Sequence, residues 1–418
     1  MYLKPNIKYL YIMNKLLFFF ALINLLSFCW SDKGKPESKD IINIGINDKT
    51  LKEYEGQFPL PNGMSFNSYL IIDEKILIIN GVEKKYEDEW LKNLQNSLGG
   101  REPDYILILH MELDSSESLE TLVKKYPKVK IVSSKKSFIL MKKYFKEDFS
   151  KNSQEVKEGD ELTLGKHTLH FITAPMIHWP DVLLAYDSLT QSLFSCDIFG
   201  TFGTNDVEAP WDDEGRRFYY SVIGKYGEQV QSLLQKLTGF QIKNIFPNHG
   251  PALSENLDHY LSLYDKWSKY LPEEEGVVIA YSSIHGNTKV AVDKLAEKLK
   301  SLGVKFIIHN LSFSHVSNVV SDAFKYKKLV LASVTYHDGI YPFMRVLLNF
   351  LVSRNYQSRQ VSIIENYSWK PNHGSVLLKK LKNCKNLDLS QQVVAINSGV
   401  KNDDIKNLEA LAVQLSKK

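Results

Sequence analysis

The stretch His110-Met111-Glu112-Leu113-Asp114 follows directly on the apolar run Tyr105-Ile106-Leu107-Ile108-Leu109. A short apolar run of this kind reads as a buried strand. A strand continuing through the stretch would put His110, Glu112 and Asp114 on one side, because successive strand side chains alternate. An imidazole and two carboxylates on one side make a place for one metal ion or two. The mixture of nitrogen and hard oxygen suits iron better than an all-histidine set and leaves zinc open. For a single triplet, a solvated loop is the ordinary reading.

Later stretches repeat the placement. Ala174-Pro175-Met176-Ile177-His178-Trp179-Pro180-Asp181 lies between the strand-like runs Thr168–Thr173 and Val182–Tyr186, and its prolines hold His178 in a fixed loop. Leu193-Phe194-Ser195-Cys196-Asp197 puts a carboxylate after a short apolar strand, and Asn244-Ile245-Phe246-Pro247-Asn248-His249-Gly250-Pro251 ends another strand in a histidine. Each histidine alone reads as a loop residue bonded to backbone. Repetition at strand ends, where α/β sheets collect functional groups, argues for one shared site.

The second half of the chain has a different signature. Glu273-Glu274-Glu275-Gly276 reads as a linker after a helix-like stretch around Tyr260–Tyr270. Val277-Val278-Ile279-Ala280-Tyr281 is a continuous apolar run, as expected of a strand buried on both faces. Ser282-Ser283-Ile284-His285-Gly286-Asn287-Thr288 follows, and then Val290–Leu302 carries Val292, Leu295, Leu299 and Leu302 at helical spacing. A strand, a hydroxyl-rich turn and a helix together bind anions, through backbone N–H groups and the helix N-terminus; alone, such a turn is often only a helix cap. The candidate residues are Ser282, Ser283, His285, Gly286, Asn287 and Thr288. There is neither a P-loop lysine nor a G-x-G-x-x-G, which disfavours a triphosphate or an ordinary dinucleotide. A monophosphate such as that of FMN fits a doubly wound sheet. Two further apolar strands end in polar, aromatic loops: Leu329–Ala332 before Ser333-Val334-Thr335-Tyr336-His337-Asp338-Gly339, and Val361–Ile364 before Glu365-Asn366-Tyr367-Ser368-Trp369. Thr335, Tyr336, His337, Gly339, Tyr367 and Trp369 are the candidates for covering a flavin ring.

Composition narrows the partners. The 418 residues leave room for two or three domains. Hydrophobic content of 44% against 24% charged residues is that of a globular chain. The net charge of +4 is mild and the lysines are interspersed with acids, so solvated helix faces are expected rather than a nucleic-acid surface. Cys29, Cys196 and Cys384 form no C-x-x-C, which excludes a built-in rubredoxin-like or zinc-ribbon module. Few cysteines fit a reducing compartment, and Cys196 reads as a small apolar filler. At the N-terminus, Leu16 to Trp30 is short for a spanning helix and about right for a signal-peptide core, more so if translation starts at Met13. Leu26-Ser27-Phe28-Cys29 partly matches a lipoprotein processing site. The competing reading is a start codon placed too far upstream. The expected location is the cytoplasm, with export or membrane tethering through this segment as the alternative.

Taken in order, His110, Glu112, Asp114, His178, Asp197 and His249 resemble the ligand set of the flavodiiron proteins (A-type flavoproteins). Phe58-Pro59-Leu60-Pro61-Asn62-Gly63, Asn67-Ser68-Tyr69-Leu70-Ile71, His178-Trp179-Pro180 and Gly215-Arg216-Arg217-Phe218-Tyr219-Tyr220 are similar too, and the likeness covers about residues 40 to 415. The resemblance implies an α/β fold: a metallo-β-lactamase-like αββα sandwich (residues 40–272), then a flavodoxin-like doubly wound parallel sheet (276–415), behind a leader-like segment (1–39). It also implies that His110, Glu112 and His178 hold one iron, Asp114 and His249 a second, and that Asp197 bridges them. FMN would feed the irons, and the reaction would reduce dioxygen to water, nitric oxide to nitrous oxide, or both. A head-to-tail homodimer or dimer of dimers would bring one subunit's flavin to the other's irons. The electron donor would be a separate rubredoxin-like protein or an NADH-dependent flavoprotein. Of Phe199, Phe202, Phe218, Tyr219 and Tyr220, most are expected in core packing and some around a dry gas pocket.

The sequence departs from the family pattern at named positions. Ser115 stands where a histidine usually follows the aspartate, and Ser116-Glu117-Ser118 matches only in part. Val334 replaces a proline, Asp338 a glycine, and Glu365 and Lys370 are bulkier than the family's residues there. Two other readings stay open: a zinc hydrolase on the same scaffold, and a flavin or metal sensor whose turnover has been lost.

Overall fold

The computed structural model describes residues 40–417 except 208–209, 383 and 390–392. The leader-like segment, with Leu16 to Trp30 and Cys29, lies outside the described residues.

Two mixed sheets face each other in the first half. One carries β1 (Ile41–Asn43), β2 (Tyr69–Ile72), β3 (Ile76–Ile79), β4 (Tyr105–Leu107), β5 (Lys130–Ser134) and β6 (Ser153–Val156) in that spatial order. The other carries β7 (Glu161–Thr163), β8 (Thr168–Thr173), β9 (Leu183–Asp187), β10 (Ser192–Cys196) and β11 (Asn244–Pro247), also in chain order. The pleat of β3 explains the layering. Leu77 and Ile79 point into the core shared with Leu169, Phe171 and Phe194 of the second sheet, while Ile76 and Ile78 join Trp90, Leu94 and Leu98 of the helix Glu87–Leu98. A strand buried on both faces reads as a continuous apolar run. Helices cover both outer faces, giving the αββα sandwich.

The third sheet is parallel, in the order β13 (Phe306–Asn310), β12 (Glu274–Tyr281), β14 (Tyr326–Tyr336), β15 (Gln360–Tyr367) and β16 (Val393–Asn397). With the first strand of the sheet in second place, this is the flavodoxin-like order, whose switch point lies between β12 and β14. Both fold classes expected from the sequence are present.

The linker reading of Glu273-Glu274-Glu275-Gly276 is corrected. β12 already begins at Glu274, which pairs in register with Tyr326. The acids that resembled a solvated linker are matched by lysines at the starts of the neighbouring strands, Glu274 by Lys305 just before β13 and Lys325 at the end of the helix before β14, and Glu275 by Lys327 in β14. Glu273 accepts the buried Arg216 guanidinium and the Trp267 indole N–H. Among the described residues no helix is long and apolar enough to cross a membrane.

Candidate metal centre and flavin cleft

His110, Glu112 and Asp114 do meet, but not as a strand. β4 ends at Leu107, Glu112 is the N-cap of the one-turn helix Leu113–Ser116, and Asp114 lies in its first turn. The chain leaves the sheet early because its polar contacts lie elsewhere. Leu109 N–H donates to Asn80 Oδ1 and Met111 N–H to Asp181 Oδ2, both at 2.9 Å, while the Met111 side chain is fully buried. Asp181 also accepts Ser137 Oγ at 2.9 Å, so the His110 loop is tied to the His178 loop through a carboxylate to which the sequence reading gave no role.

The loops bring the expected residues together. Ligand atoms of His110, Glu112, His178 and Asp197 lie within 4.8 Å of one another. Glu112 Oε2 is 2.8 Å from His178 Nε2 and 3.4 Å from His110 Nε2. Asp197 faces two ways. Its Oδ2 is 3.4 Å from His110 Nε2 and 3.2 Å from His178 Nδ1, while its Oδ1 is 3.7 Å from His249 Nε2. His249 Nε2 is in turn 3.2 Å from Asp114 Oδ2. Asp197 thus stands between a group of His110, Glu112 and His178 and a pair of Asp114 and His249.

Burial makes this arrangement electrostatically tense. Glu112 is pushed up by burial, but hydrogen bonds from His110 and His178 outweigh that and hold its carboxyl at about 2. Burial likewise raises Asp197, and the three histidines bring it well below the usual carboxylate range. Burial lowers His249, yet Asp114 and Asp197 and the Ser65 carbonyl lift it to about 9. In His110, burial is outweighed by Cys196 and Asp197; in His178, by Glu112 and Asp197, and both are raised. Histidines charge here because bare carboxylates surround them, and a cation at their centre would do the same work.

The donor set fits metal ions. Asp114 Oδ1, Asp197 Oδ2, His178 Nδ1 and His249 Nε2 are buried without an aligned hydrogen-bond partner among the described residues, although the last three sit within ion-pair distance of one another's groups. Buried polar atoms without partners call for an explanation, and convergence on one centre supplies it. Outer contacts set the ligands' directions. His249 Nδ1 is 2.8 Å from the Ser65 carbonyl, which as N–H donor leaves Nε2 the lone pair. Asn80 Nδ2 donates to Asn248 Oδ1 at 2.7 Å, and Asn248 Nδ2 to Asp197 Oδ1 at 3.0 Å. Cys196 is fully buried behind Asp197 with its thiol pushed up to about 12 by burial, consistent with an inert filler. Ser115 is buried, but its Oγ lies 3.4 Å from His110 Nδ1 rather than against Asp114 or His249.

Sequence reasoning missed Tyr54. Its hydroxyl donates to Asp114 Oδ2 at 3.0 Å, and its ring lies edge-on to His249. It sits in a two-residue strand, Glu53–Tyr54, with no periodic pattern to mark it. Phe202 and Phe218 pack beside it, whereas Phe199, Tyr219 and Tyr220 pack into the core with Tyr264 and Trp267.

The second site is a cleft of about 500 Å³ over the C-terminal ends of β12, β14 and β15. Ser283, His285, Asn287, Thr288, Thr335, Tyr336, His337, Tyr367 and Trp369 line it, together with Ile284, Val334, Asp338, Asn366, Ser368 and Lys370. Ser282, Gly286 and Gly339 do not. Ser282 is buried beneath, Gly286 is the N-cap of the helix Asn287–Ser301, and Gly339 pairs with Tyr336 in a hairpin. Ser282 Oγ, Thr288 Oγ1 and Ser333 Oγ are buried without hydrogen-bond partners among the described residues, at the end where the helix N-terminus faces the cleft. Hydroxyl donors and an open helix terminus suit a phosphate.

Two of the departures from the family pattern, Asp338 and Glu365, have local explanations. His337 and Asp338, the central residues of the two-residue turn, both have positive φ (49° and 53°), as a primed hairpin turn requires. Asn372 Nδ2 on the Asp338 carbonyl pins the turn. Glu365 is buried behind the wall, where Oε1 accepts Thr335 Oγ1 and Asn372 N–H, so its bulk does not enter the cleft.

Known proteins are similar to this chain in sequence and in fold. The family described as ODP family beta lactamase matches residues 64–250. Putative diflavin flavoprotein A 2 of Synechocystis sp. is 32% identical over 273 residues, 64% of this chain and 47% of that one. The anaerobic nitric oxide reductase flavorubredoxin of Vibrio vulnificus is 25% identical over 347 residues, 80% of this chain and 69% of that one. The chain thus spans about half the length of the diflavin relatives it matches. The rubredoxin oxygen:oxidoreductase from Desulfovibrio gigas has the same fold, with a TM-score of 0.85 at 23% identity over 92% of this chain and 98% of that one. Residues 64–250 match the ODP family beta lactamase, and the chain as a whole shares the fold of the flavodiiron structures, a β-lactamase-like domain followed by a flavodoxin-like domain.

Proposed function

We propose that the protein is an FMN- and di-iron-dependent oxidoreductase that reduces dioxygen to water, nitric oxide to nitrous oxide, or both. The observation that carries this reading is Asp197, one carboxylate with an oxygen toward each of two ligand groups, in a chain that also holds a flavin-sized cleft. His110, Glu112 and His178 would hold one iron, Asp114 and His249 the other, and Asp197 both. When bound, an iron pair and a reduced flavin would together supply up to four electrons, the number that takes dioxygen to water. The residues do the rest. Asn248 fixes the bridging carboxylate, Ser65 fixes the His249 tautomer, and Phe202, Phe218 and Tyr54 keep the Asp114 side dry.

The domain division at 40–272 and 276–415, the cytoplasmic location and the head-to-tail homodimer belong to the same proposal, as does a separate electron donor. The names of two relatives support its parts. One is an anaerobic nitric oxide reductase flavorubredoxin, the other a rubredoxin oxygen:oxidoreductase.

The test is anaerobic stopped-flow mixing of the reduced, iron- and FMN-loaded protein with each gas. Rapid flavin reoxidation by either gas supports the reductase and ranks the gases. No reoxidation with both irons in place refutes it and favours the sensor. Purified protein holding zinc only, or one metal per chain, speaks for the hydrolase reading or against the second iron.

A further inference from the structure

We propose that Tyr54 is a positioning residue for the second metal position, holding Asp114 through a hydrogen bond in a site where Ser115 supplies no ligand. The inference rests on the two-iron reading and deepens it. Asp114 stands on a one-turn helix, an element too short to fix a carboxylate by itself. Among the described residues, two groups meet its Oδ2: the Tyr54 hydroxyl at 3.0 Å and His249 Nε2 at 3.2 Å, while Oδ1 has no partner. If His249 Nε2 turns to a metal, Tyr54 is the donor left on Oδ2, and Oδ1 remains free to ligate. The tyrosine cannot swing away. It is 4% exposed, and its ring is held by Phe202, Phe218 and His249 at centroid distances of 5.9, 6.4 and 5.5 Å. Ser115, the residue after Asp114, spends its hydroxyl on His110 Nδ1 and the Glu112 carbonyl, so it adds nothing to the second position. With few donors there, affinity depends on how well Asp114 is oriented. Partners that orient a ligand typically contribute about 10–100-fold to metal affinity.

The experiment is an anaerobic calorimetric titration of the metal-free full-length protein with ferrous ion, which needs neither flavin nor turnover. Wild type is expected to bind in two steps. Tyr54→Phe keeps the ring and its packing, and should weaken the weaker step by about 10–100-fold while the tighter step is unchanged. The tighter step is an internal control for folding. Loss of both steps assigns Tyr54 a general structural role and overturns the proposal, as does a variant whose steps equal those of wild type. One step in wild type overturns the two-iron reading itself, and this inference with it.

Discussion

The candidate metal cluster and the candidate flavin cleft are built on opposite principles. Around Asp197 the side chains are buried, charged and in contact, with His110, His249 and Asp197 each no more than 1% exposed. The cleft is open, lined by backbone, hydroxyls and aromatics, with Trp369 88% and Tyr336 39% exposed. The first region is held by its own charges and is intolerant of change. The second is a scaffolded edge with exposed aromatic side chains at its rim. Substitutions should therefore act globally in one region and on ligand affinity alone in the other.

The sharpest break is Asp197→Ala. Removing the carboxylate shared by both groups leaves three buried histidines with one carboxylate fewer to balance them. Iron content should fall from two to less than one per chain, with affinity down by more than the ~100-fold typical of losing an outer contact. Metal analysis after reconstitution checks this, and near-normal iron would refute the bridge.

Next comes a matched pair of glycines. A Cβ at Gly250, beside His249, would meet Thr201 Cγ2 at 2.3 Å on a backbone with φ +84°. At Gly286 a Cβ meets nothing within 4 Å, although φ is +90°. Gly250→Ala thus carries overpacking on top of left-handed strain, about 3 kcal/mol or more together, whereas Gly286→Ala carries only the strain, about 1–2 kcal/mol. Chemical denaturation of each variant reads the difference, and equal losses would show the metal region to be softer than its packing indicates.

The same contrast governs what the sequence discloses. Strands and candidate ligands of the first half are legible because a short apolar run stops at or just before a carboxylate or histidine, as at Cys196 and Asp197 or Pro247 and His249. The path of the ligand loop is not legible. Nothing in His110-Met111-Glu112-Leu113-Asp114 reveals that Asp181 captures Met111 N–H and turns the chain into a helix, because that contact is 70 residues away in sequence. Tyr54 is hidden for the same reason, its partner Asp114 lying 60 residues on. In the second half the strand, hydroxyl-rich turn and helix could be read from local chemistry, whereas the strand pairing of Glu274 and Glu275 could not, because their lysine partners lie on or beside other elements of the sheet.

pH should divide the regions as well. In the metal-free protein His249 has its folded value raised to about 9 from an ordinary 6.5. Its contribution to stability is therefore fully present below about 6.5 and lost as pH rises through about 9. Glu112 is held at about 2 against an ordinary 4.5, so its contribution is present above about 4.5 and lost as pH falls through about 2. Metal-free protein should melt highest between these limits and lower on either side. Bound metal displaces protons from the same histidines and should lift the alkaline side most. Thermal melts across pH, with and without ferrous ion, test this. An alkaline limb that metal leaves unchanged would separate His249 from the ligand set.

The smallest effect belongs to the exposed wall of the cleft. Trp369 makes almost no packing contact in the ligand-free protein, so Trp369→Ala should leave the melting temperature within a degree or so of wild type, as surface substitutions generally do. If its ring stacks on bound flavin, the same change removes an aromatic contact of about 0.5–1.5 kcal/mol and weakens FMN binding up to ~10-fold. Fluorescence quenching of FMN on titration with each protein measures that loss directly. A variant that binds FMN as wild type does would place the stacking surface on Tyr336 or Tyr367, which also line the cleft. A variant that melts early would instead mean that Trp369 is already packed, and that the two regions are less different than their exposure makes them.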